Sequence, residues 1–439
     1  MSRRVLVRLA VSLVALLVFA EAAALVLHYA ETGWLFYLNP HRVSRPVGSD
    51  SVQAGLTGDA LHPYFGPTHQ PGLPFEMPPE LQGATPAHRP AVAARTNNFG
   101  FVSTTDYPIP RTSDRQYFVG IFGGSVGLWF CQLGADRLLT QLHRQPALAG
   151  RELVPVCLAH EGYKQPQQLL VLAYFLSMGQ PFDLVVTIDG FNEVALGAMN
   201  DQRGFDSSMP SVLHLDPMVN LINQGTLTPE KAETLGEIST GRRALARWAR
   251  RSNGARFAAT HLIADRIYAL VEKRYRAAVL RFSQLPSQSV NASLIRVTPK
   301  TANRTGEAFF AEIARQWAEA SGEMQTLLAA RGVAYLHVLQ PNQYASTRAF
   351  SEAERKVAFI DASPFKPGAE HGYPQLKGEA AQRLLRTHGV RFLDATGIFD
   401  GTPAQVYLDN CCHYTRLGND LLADAIARAL LAPGVLAQR

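Results

Sequence analysis

The chain has 439 residues, of which 47% are hydrophobic and 18% are charged, a composition that excludes an intrinsically disordered protein. The formal net charge of +6 and the isoelectric point near 9.2 are modest for this length. Because no zinc-finger, RNP or basic-helix pattern accompanies that charge, the sequence does not predict a nucleic-acid-binding protein.

A basic N-terminus precedes a long apolar segment. No charged residue interrupts Leu9 to Ala20, and after Glu21 the apolar character resumes to Leu27; the preceding arginines are Arg3, Arg4 and Arg8. Such a helix is long enough to cross about 30 Å of hydrocarbon, and the upstream arginines favour a cytoplasmic N-terminus. For residues 1–30 we expect an uncleaved signal-anchor in the cell inner membrane, with the body facing the periplasm or exterior. The alternatives are a signal peptide cleaved near Ala20-Glu-Ala22 and a buried core helix.

Residues 31–110 are rich in proline, glycine and histidine and show little periodicity. Phrases such as His62-Pro-Tyr-Phe-Gly66 and Asn97-Asn-Phe-Gly-Phe101 mix turn residues with aromatic side chains. The aromatic content argues against a purely flexible linker. We therefore expect an extended lead-in that packs on the following core.

From residue 111 to residue 435 the pattern alternates between strands and helices, which predicts a parallel sheet with right-handed crossovers. The predicted strands are Tyr117–Phe122, Leu153–Leu158, Asp183–Ile188, Val333–Leu339 and Val390–Asp394. The predicted helices include Gln165–Leu176 and Glu307–Ala330, the latter with an apolar stripe at spacings of three and four. Between about residues 200 and 305 the alternation stops.

We predict a helical insertion there, beginning at the N-cap Thr228 before Pro229. It carries a group of arginines: Arg242, Arg243, Arg247, Arg250 and Arg251. Three interpretations stay open: a cap over a substrate site, a basic face toward anionic lipid or polysaccharide, and an ordinary solvated helix face.

Three polar motifs follow predicted strands. Ser125 ends Gly-Gly-Ser after the first, Asn192 lies in Gly-Phe-Asn-Glu after the third, and Asp409 and His413 lie near the C-terminus. A serine on a tight strand-to-helix turn projects its hydroxyl above the sheet, beside the N–H groups of a helix N-terminus. An imidazole is the base whose pKa lies near neutrality.

A serine early, Gly-x-Asn in the middle and Asp…His late is the order of blocks in the SGNH (GDSL-type) hydrolases. Residues 117–432 resemble that family in its bacterial membrane-anchored form. The resemblance implies a flavodoxin-like three-layer α/β/α sandwich around a parallel sheet of about five strands. It also implies Ser125 as nucleophile and His413 as general base. The backbone of Ser125, the N–H of Gly162 and the side chain of Asn192 would form the oxyanion hole.

The chain departs from the family pattern in two places. Gly124 replaces the aspartate of Gly-Asp-Ser, and the family's aspartate three residues before the histidine is Asn410 here. Asp409 lies four residues before His413. We expect Asp409 to orient His413, because a carboxylate also stabilises the imidazolium that forms during turnover. The alternative is Asn410 as a neutral acceptor.

Four cysteines lie within these motif regions: Cys131, Cys157, Cys411 and Cys412. A disulfide tying the His413 loop to one of the first two, and small buried thiols, are both open interpretations. No Cys/His spacing suggests a zinc site, so the sequence predicts no metal and no cofactor. We expect His160 only to fill a loop. Gln340 and Asn342, which follow the fourth strand, are candidates for substrate contact.

The motifs predict a serine esterase that removes acyl groups, such as acetyl, from envelope or extracellular carbohydrate or another small ester. Two other functions stay open. A sugar hydroxyl in place of water would make the protein an O-acyltransferase in polysaccharide modification. Alternatively, a non-catalytic assembly protein would retain only the fold. The partners expected are therefore the ester substrate and, through the N-terminal helix, the membrane.

Overall fold

The computed structural model describes residues 3–39, 59–75, 94–215, 228–285, 304–360 and 362–432. The chain divides into two compact units. One comprises residues 1–58 with 219–294, and the other comprises residues 59–218 with 295–439.

The larger unit is built on a parallel sheet of five strands. After a hairpin of β1 (Asp59–His62) and β2 (Gly66–His69), the sheet strands are β3 (Gln116–Gly123), β4 (Glu152–Ala159), β5 (Leu184–Asp189), β6 (Ala334–Leu339) and β7 (Phe392–Asp394). All six side chains of β5 are buried, as expected for a central parallel strand covered on both faces. The five strands predicted from the sequence are confirmed, each with bounds within two residues.

The spatial order β4-β3-β5-β6-β7 is the flavodoxin-like order. Chain order reverses between β3 and β5, because β4 lies on the outer side of β3. In open α/β sheets the crevice at that reversal, outside the carboxyl ends of the strands, is where ligands bind. Ser125 follows β3 and Asn192 follows β5, so both motifs lie at this point.

Helices of the larger unit form two packed groups around the sheet, which completes the predicted three-layer α/β/α fold. One group is α2 (Ser125–Leu133), α3 (Ala135–His143) and α12 (Arg416–Leu431). The other is α4 (Gln167–Ser177), α5 (Phe191–Gln202), α8 (Gly306–Ala329), α10 (Lys366–Leu376) and α11 (Glu379–Thr387), with the short α9 (Glu352–Ala358) nearby in the chain. The predicted helix 307–330 is confirmed as α8, which buries Ile313, Trp317, Met324 and Leu328.

Residues 59–75 and 94–110 of the lead-in pack within the larger unit through aromatic side chains. Phe65 and Phe101 are buried in the main core together with Phe175 of α4. The hydroxyl of Tyr163, in the loop after β4, donates to the carbonyl of Pro67 at 2.7 Å. The β1–β2 hairpin therefore lies directly against the loop that contains Gly162.

The smaller unit contains the apolar N-terminal helix α1 (Arg3–Thr32). By length and composition α1 is able to cross a membrane, and its apolar side chains are exposed, up to 73% at Phe19. That exposure does not fit the alternative of a buried core helix. The charge of Glu21 within α1 is accounted for, because its carboxylate accepts hydrogen bonds from the N–H groups of Ala258 at 2.8 Å and Ala259 at 3.0 Å.

Those two amides open the second helix of a pair, α6 (Pro229–Asn253) and α7 (Ala258–Gln284). The predicted N-cap is confirmed: Thr228 Oγ1 accepts from the N–H of Lys231 at 3.2 Å. The described part of the predicted helical insertion is thus two helices, separated at residues 254–257. The five arginines of the predicted cluster lie on α6 at partly or fully exposed positions.

Candidate active site

Ser125 begins α2 immediately after the Gly-Gly turn that ends β3. Only 8% of its surface is exposed, so Ser125 is nearly buried rather than on an open surface. The helix that begins here directs its first N–H groups and the positive end of its dipole toward the turn. The predicted strand–turn–helix setting of this serine is present.

His413 contacts Ser125 with one ring nitrogen and Asp409 with the other. The distance from His413 Nε2 to Ser125 Oγ is 2.8 Å, and the distance from His413 Nδ1 to Asp409 Oδ2 is 2.5 Å. A carboxylate can only accept, so Nδ1 carries the proton and Nε2 of the neutral ring faces the serine hydroxyl with its lone pair.

The other carboxylate oxygen of Asp409 closes the loop that carries the histidine. Asp409 Oδ1 accepts from the N–H groups of Cys411 at 3.0 Å, Cys412 at 3.1 Å and His413 at 3.3 Å. These bonds fold residues 409–413 into a tight turn that brings the carboxylate beneath the imidazole. The spacing of four residues is accommodated in this way, and Asn410 Oδ1 lies instead near Ser363 Oγ at 3.5 Å.

Three consecutive side chains hold this loop from outside. Asn342 Nδ2 donates to the carbonyl of Cys411 at 3.1 Å, Gln343 Nε2 donates to the carbonyl of Asp409 at 3.0 Å, and the Tyr344 hydroxyl donates to the carbonyl of Asn410 at 2.8 Å. The predicted candidates for substrate contact, Gln340 and Asn342, are both buried. The hydrogen bond of Asn342 to Cys411 indicates that Asn342 holds the loop, and it does not favour contact of Asn342 with a substrate. Substrate contact by Gln340 and Asn342 stays a prediction.

The electrostatics of the pair follow from its contacts. Burial alone would lower the pKa of the His413 imidazole, but its hydrogen bond to Asp409 and its electrostatic interactions with Cys411, Asp409 and Glu161 raise that pKa to about 9. Burial acts to raise the pKa of the Asp409 carboxyl, yet its hydrogen bonds with His413 and the loop N–H groups lower it overall. Asp409 therefore remains a carboxylate, the form that stabilises an imidazolium.

Asn192 lies against the serine turn and limits which residue fits at position 124. Its side-chain amide donates to the carbonyl of Tyr163 at 2.8 Å. A Cβ atom on Gly124 would lie 2.1 Å from Asn192 Nδ2 and 3.0 Å from that same carbonyl. An aspartate at position 124 would displace the amide, so this packing requires glycine.

Gly162 lies in the loop after β4, between His160 and Tyr163. Its φ of 76° is in the left-handed region that favours glycine, and a Cβ atom there would lie 2.4 Å from the imidazole of His214. The loop conformation and the space therefore both require glycine. Its predicted role as an oxyanion donor stays a prediction.

The sequence did not reveal the buried polar groups behind Asn192. Asp189 Oδ1, at the end of β5, accepts from Trp317 Nε1 and contacts His337 Nε2, each at 2.7 Å. Glu193 accepts from the N–H groups of Gln165 at 2.7 Å and Gly190 at 2.8 Å, so it joins the loop after β4 to the start of α5. Burial, together with the charge of Asp189, raises the pKa of the Glu193 carboxyl.

Cys131 and Cys157 form a disulfide that joins α2 to β4, with a Cα–Cα distance of 6.1 Å. The expectation of a disulfide between the His413 loop and one of these cysteines is wrong, because Cys411 and Cys412 are free thiols. Their sulfur atoms lie 3.1 Å apart. The alternative of small buried thiols holds only in part, since Cys412 is buried and Cys411 is partly exposed.

Comparisons with known proteins add little. No family model matches the chain, and no curated protein matches it. Among solved structures, the crystal structure of the lipase Lip_vut3 from a goat rumen metagenome is similar to this chain with a TM-score of 0.29 and 11% sequence identity. The match covers 73% of this chain and 99% of that one. A likeness this remote carries no functional argument.

Proposed function

We propose that this protein is a serine esterase of the SGNH type, a carboxylic ester hydrolase that acts through an acyl-enzyme. The observation that carries the proposal is the continuous chain of contacts from Ser125 Oγ to His413 Nε2, at 2.8 Å, and from His413 Nδ1 to Asp409 Oδ2, at 2.5 Å. Nucleophile, base and orienting carboxylate are thus mutually within hydrogen-bond reach.

In the first step, His413 Nε2 takes the proton of Ser125 Oγ as the oxygen attacks the ester carbonyl. Asp409 keeps the ring in the required tautomer and stabilises the imidazolium. Collapse of the tetrahedral intermediate transfers the proton to the departing alkoxide and leaves the acyl group on Ser125. Water, activated by the same imidazole, then releases the carboxylic acid and restores the serine hydroxyl.

The negative oxygen of the tetrahedral intermediate needs hydrogen-bond donors near Ser125. Asn192 has two amide hydrogens, of which one is donated to Tyr163, and we assign the other to the oxyanion. The backbone N–H groups of Ser125 and Gly162 are the remaining donors in this proposal. Each preorganised donor is expected to contribute about 3–4 kcal/mol.

The substrate is proposed to be an acylated, for example acetylated, carbohydrate or another small ester outside the cytoplasm. This rests on α1, which we propose is an uncleaved inner-membrane anchor, because arginines precede its apolar stretch and favour retention of that end in the cytoplasm. The same geometry would transfer the acyl group to a sugar hydroxyl if that group replaced water, so the acceptor decides between hydrolase and O-acyltransferase.

The decisive experiment uses the full chain purified in detergent micelles that contain no ester. It should hydrolyse p-nitrophenyl acetate, and a fluorophosphonate probe should add once per chain, as seen by intact mass. Ser125→Ala should abolish both signals. Ser177→Ala, which alters an exposed serine at the end of α4, is the matched control and should leave both unchanged.

Two results would count against the proposal. Persistent labelling of the Ser125→Ala variant would place the nucleophile elsewhere. Wild-type protein that neither hydrolyses the ester nor reacts with the probe would favour the non-catalytic alternative. Addition of a soluble sugar as acceptor separates the remaining pair, since a transferase should form an acylated sugar in preference to free acetate.

A further inference from the structure

A second cluster of potential ligand atoms lies beside the loop that carries Gly162. His69 is the last residue of β2, and His160 and Glu161 directly follow β4. His69 Nε2 lies 3.0 Å from Glu161 Oε2, and His160 Nε2 lies 3.9 Å from the same oxygen. All three ligand atoms lie within 4.8 Å of one another. We propose that these side chains bind one divalent transition-metal ion of the zinc class.

The tautomer of His160 is the first argument. His160 Nδ1 lies 2.9 Å from the backbone carbonyl of Glu161, which can only accept, so Nδ1 carries the proton. His160 Nε2, the ring nitrogen not used in that contact, lies 3.9 Å from Glu161 Oε2. A cation between these two atoms would be bound by both. A backbone carbonyl on the second nitrogen is also the usual device that orients a metal-binding histidine.

Distance is the second argument. Bonds of about 2.0–2.2 Å in a tetrahedral site place neighbouring ligand atoms about 3.4 Å apart. The observed separations of 3.0 Å and 3.9 Å lie on either side of that value. Two imidazoles and one carboxylate suit Zn²⁺ or Co²⁺, whereas Mg²⁺ and Ca²⁺ prefer sites made of oxygen atoms.

Burial is the third argument. The side chains of His160 and His69 are 1% and 14% exposed, whereas that of Glu161 is 28% exposed. The imidazole rings are held by aromatic neighbours, because His160 packs on Tyr163 and His69 packs on Phe75. The cluster is thus rigid on the histidine side, and Glu161 gives an ion access from solvent.

The site would act as a positioning device. An ion shared by His69 and His160 would fasten the β1–β2 hairpin to the loop that presents Gly162, one residue beyond Glu161. The expected effect on turnover rests on the proposed esterase function, whereas metal binding itself does not. No spacing pattern in the sequence marks such a site, because His69 is distant along the chain from His160 and Glu161.

The test uses the full chain in detergent, purified without a polyhistidine tag, stripped with a chelator and reloaded with Zn²⁺ or Co²⁺. We expect one ion per chain by elemental mass spectrometry after desalting. His69→Ala and Glu161→Gln should each weaken Co²⁺ binding by at least about 100-fold. Glu161→Gln keeps the size of the side chain and its ability to hydrogen-bond, and circular dichroism verifies its fold.

A second group of ligand atoms could compete for the same ion, and variants of that group serve as the control. Cys411, Cys412 and His413 also offer ligand atoms within 4.8 Å of one another. The double variant Cys411→Ser/Cys412→Ser should retain the ion, and the Co²⁺ form should lack the intense near-ultraviolet absorption of a cobalt–thiolate bond. Loss of the ion only in the cysteine variant, unchanged binding by Glu161→Gln, or failure to take up a stoichiometric ion would each overturn the assignment.

If the ion positions Gly162, its removal should lower kcat for p-nitrophenyl acetate more than it raises KM, and reloading should restore kcat. Equal kcat with and without a bound ion would show that the site does not position this loop. A chain that binds the ion but has no esterase activity would refute the proposed function and leave the metal site standing.

Discussion

Asp409→Asn is the substitution that tests the candidate site most directly, because the structure dictates how the new amide must orient. Asp409 Oδ1 accepts three backbone N–H groups, of Cys411, Cys412 and His413, at 3.0–3.3 Å. Only the oxygen of an asparagine can occupy that position. Its NH₂ group must then face His413 Nδ1, where the carboxylate oxygen now lies at 2.5 Å.

That orientation reverses the tautomer of the imidazole. Nδ1 would have to accept a hydrogen bond from the amide, so the proton of the neutral ring would move to Nε2, facing Ser125 Oγ. The ring could then no longer accept the proton of the serine. Loss of a triad carboxylate in this way costs about 10³–10⁴-fold in turnover, equal to about 4–5.5 kcal/mol of activation free energy.

The assay is kcat/KM for p-nitrophenyl acetate together with the rate of fluorophosphonate labelling. Asn410→Ala is the matched control, because the only described side-chain contact of Asn410 is with Ser363. We expect that variant to retain activity within about tenfold. Turnover of Asp409→Asn within tenfold of the wild type, or an equal loss in both variants, would refute the reasoning. Asp409→Asn should also move the acidic limb of the pH profile of kcat/KM to lower pH, since Asp409 raises the pKa of His413.

Three further predictions follow from the structure. Because the pKa of His413 is raised to about 9 and catalysis needs the neutral ring, kcat/KM should still rise as the pH passes from 7 to 9; a limb at or below pH 6.5 would contradict this. Glu354→Ala should destabilise the protein by about 3–5 kcal/mol, because it leaves the buried charge of Arg348 without its partner. Glu379→Ala, which breaks an exposed ion pair with Arg386, should cost at most about 1 kcal/mol. Equal shifts of the two melting temperatures would refute the distinction. Mass spectrometry of membrane fractions should find the N-terminal segment intact, and a mature N-terminus near Ala23 would establish cleavage instead.

The sheet was predictable because its signals are local. Each strand of the sheet is a short apolar run, and the helix bounds of α8 follow from side-chain periodicity within one segment. The order of the three motifs then placed their residues at one edge, since parallel strands end on the same side. No such local pattern marks the division into two units, in which residues 219–294 group with the N-terminal segment.

What the sequence could not supply are pairings between distant residues. The Cys131–Cys157 disulfide joins elements that meet only because β3 and β4 are neighbours in the sheet. A sequence with four cysteines allows several pairings, and adjacency to His413 was a misleading guide. Glu21 is a similar case, because an acidic residue in an apolar helix looks unfavourable until its partners at the start of α7 are known.

The unusual spacing between Asp409 and His413 is connected with the Asn-Gln-Tyr segment that follows β6. The spacing of four residues between Asp409 and His413 lengthens the loop, and a longer loop has more conformational freedom to lose when the carboxylate must meet the ring. The Asn-Gln-Tyr segment after β6 offsets this, since residues 342–344 each donate to a different carbonyl of residues 409–411. These side chains occupy the carboxyl edge of the sheet, where substrate contacts were expected. These three contacts account for the polar side chains of residues 342–344 as supports of the loop that carries His413, whereas contact of Gln340 and Asn342 with a substrate stays a prediction.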